Sequence, residues 1–398
     1  MARAYRHISG DSHLEVDSKR WIDRVPAEHR DRAPRLVRLD DGGDAWLIEG
    51  VPLRRNSSDI YGGKGRDVWK PFGQRYEDTP GTGPGEQRIK EQDVDGVDAE
   101  VLFPGQQAGP RLWRSIADDD AYRAVIRGYN DWLAEDYCSV DRDRLIGVGV
   151  LPWCGVDDAI DEMEHCAKIG LKTVVLGRLP SGKGYPTPED DKFWSAVVDM
   201  KLPLAVHVEF NRDGSGGGPW FKYPRVPKEM ADSAGNAGIV SQLANAKFAR
   251  LGAMNAVQLM FAGVFDRFPA LHIDFAENQI GWIPHFLEMA DERYERHKTW
   301  SEELMDMKPL ARKPSEYIRE HCYWGFQHDR VGVQLRHLMG VDRLIWASDF
   351  PHQESDWPES MQVVERSFEG VPEDEKRRMT CGNAIEFFKL DALLPNYS

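Results

Sequence analysis

The sequence predicts an α/β fold, a (β/α)8 TIM barrel, from two features of its apolar pattern. Short apolar runs rich in β-branched residues recur along the 398 residues, and longer helix-like segments separate them. The runs are nearly continuous instead of alternating with polar residues, as in parallel strands that are covered on both faces. A doubly wound open sheet is the alternative, but no Gly-x-Gly-x-x-Gly pattern follows the first run to support a nucleotide-binding version of it. Strand–helix alternation repeated eight times therefore favours the barrel.

Eight strands are expected where the apolar runs occur. The first run, HISGDSHL, begins close to the start of the chain, and the last, RLIWASD, is strongly apolar. The seventh run, CYWG, is the weakest of the eight. The runs span residues 7–14, 99–104, 145–152, 171–176, 204–208, 271–277, 322–325 and 343–349.

Helices are expected in the intervals between these strands. Residues 118–137 have an acidic start and apolar residues at helical spacing, and residues 155–170 end at a glycine typical of a C-cap. Residues 188–203 begin with proline and acidic residues, and residues 239–269 are long enough for two helices. Shorter helical segments are expected at about residues 87–96 and 334–340.

Two long excursions interrupt the alternation, and we expect both to belong to one domain spanning residues 1–398. Residues 15–98 follow the first strand, and residues 211–236 follow the fifth. Loops of this length inside a compact domain are commonly functional lids. Because both excursions follow strands, they should lie over the C-terminal face of the barrel, where the sites of such barrels occur.

Composition excludes several classes of function. The net charge of −15 disfavours binding to nucleic acid and to anionic membranes, so a small-molecule substrate is expected. The five cysteines are scattered and never in Cys-x-x-Cys, which argues against a disulfide framework and a zinc knuckle. Because the sequence shows no apolar leader and no membrane-length apolar window, we expect a cytoplasmic protein. We also expect it to form a homo-oligomer, a dimer or a tetramer.

Residues with metal-binding side chains stand at the ends of three predicted strands. Asp11 and His13 end the first strand, and its period of two puts both side chains on the same side. His207 ends the fifth strand, and Asp349 ends the eighth, with His352 three residues later. Each has a structural alternative, since His207 could be a core histidine and Asp349 a helix cap. Together, Asp11, His13, His207 and Asp349 predict a site for one divalent ion, Zn²⁺ first and Mn²⁺ as the alternative.

The order of several longer stretches indicates a family. They are DSHLEV, VDGVDAEVLFP, DRLIGVGVLP, LPLAVHVE, GVFDRFPALHIDFAENQIGWIPHFLE, LIWASDFPHQESDWPES and GNAIEFFKL, and they cover almost the whole chain. In them the chain resembles the amidohydrolase superfamily, in the branch named for aminocarboxymuconate-semialdehyde decarboxylase. The resemblance implies a metal-dependent barrel with ligands at Asp11, His13, His207 and Asp349. Many members have histidine at the place of Asp11.

A second departure from the family concerns the end of the sixth strand. The resemblance implies a catalytic histidine there, but this chain reads DFAENQIGW and has Glu277. A carboxylate cannot place positive charge beside a substrate carboxylate, but it could act as a base, a further metal ligand or a hydrogen-bond acceptor. This residue therefore favours hydrolysis. In that mechanism Asp349 takes a proton from metal-bound water, and Glu277 and His352 orient water or substrate.

The expected substrate is a small organic molecule, aromatic or carboxylated, that is cleaved at a C–N or C–C bond next to a carbonyl. Two alternatives stay open. One is non-oxidative decarboxylation of an aromatic or vinylogous acid, and the other is a non-catalytic barrel that binds a metabolite.

Overall fold

The strands of the molecule form a large parallel sheet and a small antiparallel one. The computed structural model describes residues 4–55, 60–105 apart from positions 66, 68, 71 and 78, 113–208, 228, and 251–393 apart from positions 306 and 392. The strands within these ranges are β1 (Ile8–Leu14), β2 (Arg35–Arg38), β3 (Asp44–Leu47), β4 (Arg54–Arg55), β5 (Ala99–Pro104), β6 (Leu145–Val150), β7 (Thr173–Val175), β8 (Leu204–His207), β9 (Ile273–Ala276), β10 (Cys322–Phe326) and β11 (Leu344–Trp346). The eight parallel strands are hydrogen-bonded in the order β1-β5-β6-β7-β8-β9-β10-β11.

The parallel sheet curls until its two edge strands meet. The backbone N–H of Asp349 donates to the carbonyl of Asp11 at 3.0 Å, and the N–H of His13 donates to the carbonyl of Phe350 at 2.8 Å. These bonds join β1 to the segment that directly follows β11. The barrel predicted from the sequence is therefore confirmed, and all eight predicted strands lie where the apolar runs are.

A buried arginine outside the parallel sheet stabilises the junction between the ends of its first and last strands. Arg88 donates to the carbonyls of His13 at 3.2 Å and Phe350 at 2.9 Å. Its charge is balanced by Glu100 of β5, 2.6 Å away, and both side chains are almost fully buried. Hydrogen bonds to charged groups are stronger than neutral ones, so Arg88 fixes the relative position of the first and last strand ends.

Helices lie between the strands and also follow the last strand. They are α1 (Gly85–Asp95), α2 (Asp119–Trp132), α3 (Val156–Ile169), α4 (Asp191–Met200), α5 (Leu251–Phe261), α6 (Val264–Arg267), α7 (Ile283–Met305), α8 (Pro314–His321), α9 (Arg330–Gln334), α10 (Ser360–Ser367), α11 (Glu373–Arg377) and α12 (Asn383–Phe387). Local sequence explains their ends. Asp118 caps α2 by accepting from the N–H of Ala121 at 3.0 Å, and Gly170 ends α3 with a left-handed φ of 94°.

The predicted helices agree with these bounds except in two places. The helix predicted at 334–340 lies instead at Arg330–Gln334, where Asp329 caps α9, and residues 336–338 form a 3-10 turn. Of the long segment predicted at 239–269, residues 239–250 lie outside the described residues, and α5 and α6 occupy the rest. None of the described helices is both long enough and apolar enough to cross a bilayer.

The excursion at residues 15–98 contains more regular structure than its loop-like sequence suggests. It holds short 3-10 turns, the antiparallel sheet β2-β3-β4, and α1. It packs on the segment after β11, where the N–H of Gly62 donates to the carbonyl of Pro351 at 2.8 Å. Gly63, with φ +72°, leaves no room for a side chain because a Cβ there would lie 2.1 Å from the ring of Trp357.

The second excursion, residues 211–236, lies outside the described residues except for position 228, so its proposed lid function stays a prediction. The single-domain organisation over residues 1–398 also stays a prediction. The five cysteines are all free thiols, as expected from their spacing.

Candidate metal centre

The end of β1 places three ionisable side chains on one side, at the mouth of the barrel. Asp11, His13 and Glu15 alternate along the chain, and each is at most 1% exposed. His13 Nε2 lies 3.4 Å from Asp11 Oδ1. His13 Nδ1 lies 3.2 Å from the carbonyl oxygen of Pro104, which can only accept, so Nδ1 carries the proton. The lone pair of His13 is therefore on Nε2, which points at the other acidic groups.

The ends of β8 and β9 bring two more side chains to the same point. His207 Nε2 lies 3.1 Å from His13 Nε2 and 3.6 Å from Asp11 Oδ2. Glu277 follows β9, and its Oε2 lies 3.3 Å from His207 Nε2. One donor atom from each of these four residues lies within 4.8 Å of the other three.

The segment after β11 adds a second group that shares His13. Asp349 Oδ1 lies 3.1 Å from His13 Nε2, and His352 Nδ1 lies 3.3 Å from the same Asp349 oxygen. The ring of His352 stacks on that of His13 with centroids 3.7 Å apart. The structure thus brings together all six residues that the sequence analysis singled out. Asp349, a predicted ligand, stands in this second group. Glu277, which was outside the predicted set of four ligands, stands in the first.

These residues fit a divalent metal ion. The carboxylate oxygens of Asp11 and Asp349 are all buried, and none has a hydrogen-bond partner among the described residues. Buried carboxylate oxygens without hydrogen-bond partners are unfavourable, and a bound cation would satisfy the oxygens of both residues. The donor atoms lie 3.1–3.6 Å apart, close to the roughly 3.0–3.5 Å edge expected for ligands held about 2.1 Å from one ion.

The electrostatic environment perturbs the side chains of this cluster. Burial lowers the pKa of His352, but the carboxylates of Asp349 and Glu15 outweigh it and hold that pKa well above its usual range. Burial, with Asp349 nearby, raises the pKa of Glu277 to about 8. For His207, burial lowers the pKa, but Asp11 and Glu277 overcome it and raise the pKa to about 9. A divalent cation bound here would lower the pKa values of Glu277 and His207, because it favours carboxylate and neutral imidazole.

Backbone strain is concentrated at the same strand ends. Val208 and Glu277 directly follow β8 and β9, and Asp349 lies in the segment after β11. Their φ angles are 61°, 55° and 55°. Residues other than glycine rarely adopt this left-handed region, and a β-branched residue such as Val208 does so least readily. Each such residue costs on the order of 1–3 kcal/mol, and such strain clusters at functional sites. No local sequence signal announces it.

A layer of buried hydrogen bonds behind His352 was not predicted from the sequence. His352 Nε2 lies 3.1 Å from Glu15 Oε1, and the hydroxyl of Tyr76 donates to Glu15 Oε2 at 3.0 Å. The indole N–H of Trp46 donates to the Tyr76 oxygen at 3.0 Å. Glu15 could have been found, because it continues the period of two from Asp11 and His13. Tyr76 and Trp46 belong to the excursion, where the sequence carries no comparable pattern.

Comparison with known proteins identifies relatives across most of the chain. A family model described as amidohydrolase matches residues 23–390. The gamma-resorcylate decarboxylase of Rhizobium sp. (strain MTP-10005) is 25% identical over 370 residues, which covers 88% of this chain and 99% of that protein.

Solved structures share the fold. An amidohydrolase from Mycobacterium avium subsp. paratuberculosis K-10 superposes with a TM-score of 0.70 at 18% identity, covering 97% of this chain and all of that one. A dihydroxybenzoic acid decarboxylase from Polaromonas sp. JS666, solved with bound manganese and the inhibitor 2-nitroresorcinol, gives a TM-score of 0.61 at 19% identity. That likeness covers 97% of this chain and 98% of the other.

The preference for hydrolysis drawn from the sequence is wrong, because the curated relatives that match along the chain are decarboxylases. That preference depended on Glu277 alone. A metal ion held at strand ends beside an acidic group serves both reactions, so one carboxylate in place of a histidine does not determine which bond is broken.

Proposed function

The chain belongs to the amidohydrolase family, and we propose that it is a metal-dependent, non-oxidative decarboxylase of an aromatic or vinylogous acid. The observation that carries this proposal is the similarity to gamma-resorcylate decarboxylase over 88% of the chain. The cluster at the barrel mouth supports it, because it combines carboxylate oxygens that lack hydrogen-bond partners among the described residues with a buried histidine whose pKa is held above its usual range.

Four residues would hold the metal ion: Asp11, His13, His207 and Asp349. When bound, the ion supplies positive charge that fixes the substrate oxygens and offsets negative charge that develops in the reaction. The orientation of His13, whose Nδ1–H donates to Pro104, leaves its Nε2 free for such a role. We propose Mn²⁺ instead of the Zn²⁺ expected from the sequence, because a site rich in carboxylates suits Mn²⁺.

The chain itself must supply one proton per turnover. The carbon that bears the carboxylate takes up a proton, the bond to the carboxyl carbon breaks, its electron pair stays on the ring or vinyl carbon, and CO₂ leaves. His352 is suited to store this proton, since Asp349 lies 3.3 Å from its Nδ1 and Glu15 lies 3.1 Å from its Nε2. Asp349 lies between His352 and the cluster and would pass the proton to the substrate carbon. Water then restores the proton on His352.

Burial of His352, Asp349 and Glu15 keeps bulk water away from the stored proton during the reaction. His352 is 4% exposed, and Glu15 and Asp349 are fully buried. Electrostatic interactions are stronger in such a setting than at the surface.

The test is release of CO₂ by metal-loaded protein. The protein is stripped with a chelator, reloaded with Mn²⁺ or Zn²⁺, and offered 2,6-dihydroxybenzoate, 5-carboxyvanillate and a vinylogous amino acid in a CO₂ assay. We expect CO₂ from at least one acid with reloaded protein, none with the stripped protein, and loss of at least about 10²-fold in Asp349→Asn. Full metal loading without CO₂ from any of these acids would refute the proposal and favour a metabolite-binding barrel.

A further inference from the structure

Glu277 is outside the set of four predicted ligands, and the sequence left its role open between a base, a further metal ligand and a hydrogen-bond acceptor. Its left-handed backbone at the end of β9 turns the side chain toward the cluster, where its Oε2 reaches His207 Nε2 at 3.3 Å. Among the described residues, no backbone N–H and no lysine or arginine contacts the Glu277 carboxylate. The carboxyl group is mostly buried, with 16% of the side chain exposed, so a positive charge beside it favours its ionised form.

One hydrogen bond from His207 does not account for this geometry. Within 3.1–3.6 Å of His207 Nε2 lie three donor atoms from three other residues: His13 Nε2, Glu277 Oε2 and Asp11 Oδ2. A single N–H can serve only one of them, and the others would remain unsatisfied in a buried site. An ion between the four atoms satisfies all of them at once.

The lone pair of His13 leads to the same conclusion. Because its Nδ1–H is used by Pro104, its Nε2 presents a lone pair to Asp11 Oδ1 at 3.4 Å and to Asp349 Oδ1 at 3.1 Å. A lone pair facing two carboxylates is repulsive unless a cation lies between them. A donor atom of Glu277 lies within 4.8 Å of donor atoms of Asp11 and His13.

We propose that Glu277 is a fifth protein ligand of the metal ion, and that it makes the site selective for Mn²⁺ over Zn²⁺. Three carboxylates and two imidazoles form an oxygen-rich set, which suits the octahedral preference of Mn²⁺. Zn²⁺ in catalytic sites is satisfied by three protein ligands and a water, so it gains little from a fifth protein ligand. The inference rests on the metal centre of the proposed function, but not on the reaction that the centre performs.

Metal affinity measured without substrate tests this assignment. Stripped protein is titrated with Mn²⁺, the free ion is followed by electron paramagnetic resonance, and Zn²⁺ affinity is measured by competition with a chelating dye. In Glu277→Gln we expect the Mn²⁺ dissociation constant to rise at least about 10-fold, since even loss of a group that only supports a ligand has such an effect. The Zn²⁺ constant should rise much less, so the ratio of the two constants changes.

The matched control is Glu354→Gln. Glu354 lies near enough for its charge to act on Asp349 and His352, but it belongs to neither group of donor atoms. This variant removes the same charge from the same region, and its Mn²⁺ affinity should stay within about threefold, as for an exposed charge. Equal losses in the two variants would reduce the role of Glu277 to long-range charge and overturn the proposal.

A second variant keeps the test decisive if Glu277→Gln folds poorly. Glu277→His keeps a side chain that can bind metal, so it should retain Zn²⁺ and lose most of the preference for Mn²⁺. Unchanged Mn²⁺ affinity in either folded variant would overturn the assignment. Failure of the CO₂ assay with normal metal selectivity would instead refute the decarboxylase proposal alone.

Discussion

Replacing Tyr76 with phenylalanine tests whether the inserted excursion supports the proton store of the site. The substitution removes one hydroxyl that donates to Glu15 Oε2 at 3.0 Å and accepts from Trp46 Nε1 at 3.0 Å. All three side chains are at most 4% exposed, so water cannot replace either bond. Loss of a hydrogen bond to a charged group costs about 1.5–3 kcal/mol, and the unpartnered indole N–H adds about 1–3 kcal/mol. We therefore expect the free energy of unfolding in urea to fall by about 3–5 kcal/mol.

The same substitution should also act on turnover, through Glu15 and His352. Glu15 keeps its contact with His352 through the other oxygen, so we expect kcat to fall by about 10-fold with little change in KM. The control is Tyr129→Phe, because the buried Tyr129 hydroxyl has no hydrogen-bond partner among the described residues. Its removal should change stability by less than about 1 kcal/mol. Equal stability of the Tyr76 variant and wild type would show that the contacts from the excursion do not support the site.

Two further predictions concern pH and metal. Burial raises the pKa of Asp95 to about 6 from 3.8. The stability linked to its protonated form is complete below about pH 4 and is lost as the pH rises through 6. A shift of about two pKa units corresponds to about 3 kcal/mol of unfolding free energy. Asn does not ionise, so between pH 4 and pH 7 the unfolding free energy of Asp95→Asn, measured in urea, should rise relative to wild type by up to that amount. Removing an imidazole by His207→Ala should abolish metal binding in elemental analysis while circular dichroism stays unchanged, since the ligands lie at the barrel rim; full occupancy would exclude His207 as a ligand.

The barrel could be predicted from the sequence because its strands are covered on both faces. Burial on both sides requires nearly continuous apolar runs, and even β7 and β11, with three residues each, lie within such runs. Strand ends meet at one face of a barrel, so polar residues at those ends, such as His207, are expected to be neighbours. For this reason the residues of the cluster could be named before their contacts were known.

Other features depend on contacts that the sequence does not encode locally. The hydrogen bond between Tyr76 and Glu15 joins residues 61 positions apart, and no periodicity connects them. The left-handed backbone of Glu277 is maintained by the surrounding structure, and nothing in its neighbours along the chain predicts it. The reaction could not be predicted either, because hydrolysis and decarboxylation use the same kind of metal site. The carboxylate of Glu277 does not distinguish between them.

Isotope tracing of the carboxyl carbon shows whether the protein removes the carboxylate of its substrate as CO₂ and protonates the carbon that carried it. Mn²⁺-loaded protein is incubated in D₂O with the acid that releases CO₂, labelled with ¹³C in its carboxyl group, and the gas and product are analysed by mass spectrometry. We expect ¹³CO₂ and, for each ¹³CO₂ released, one deuterium at the carbon that carried the carboxylate, because the stored proton exchanges with solvent between turnovers. Retention of ¹³C in the product, or ¹³CO₂ at the same rate from Asp349→Asn, would contradict this expectation.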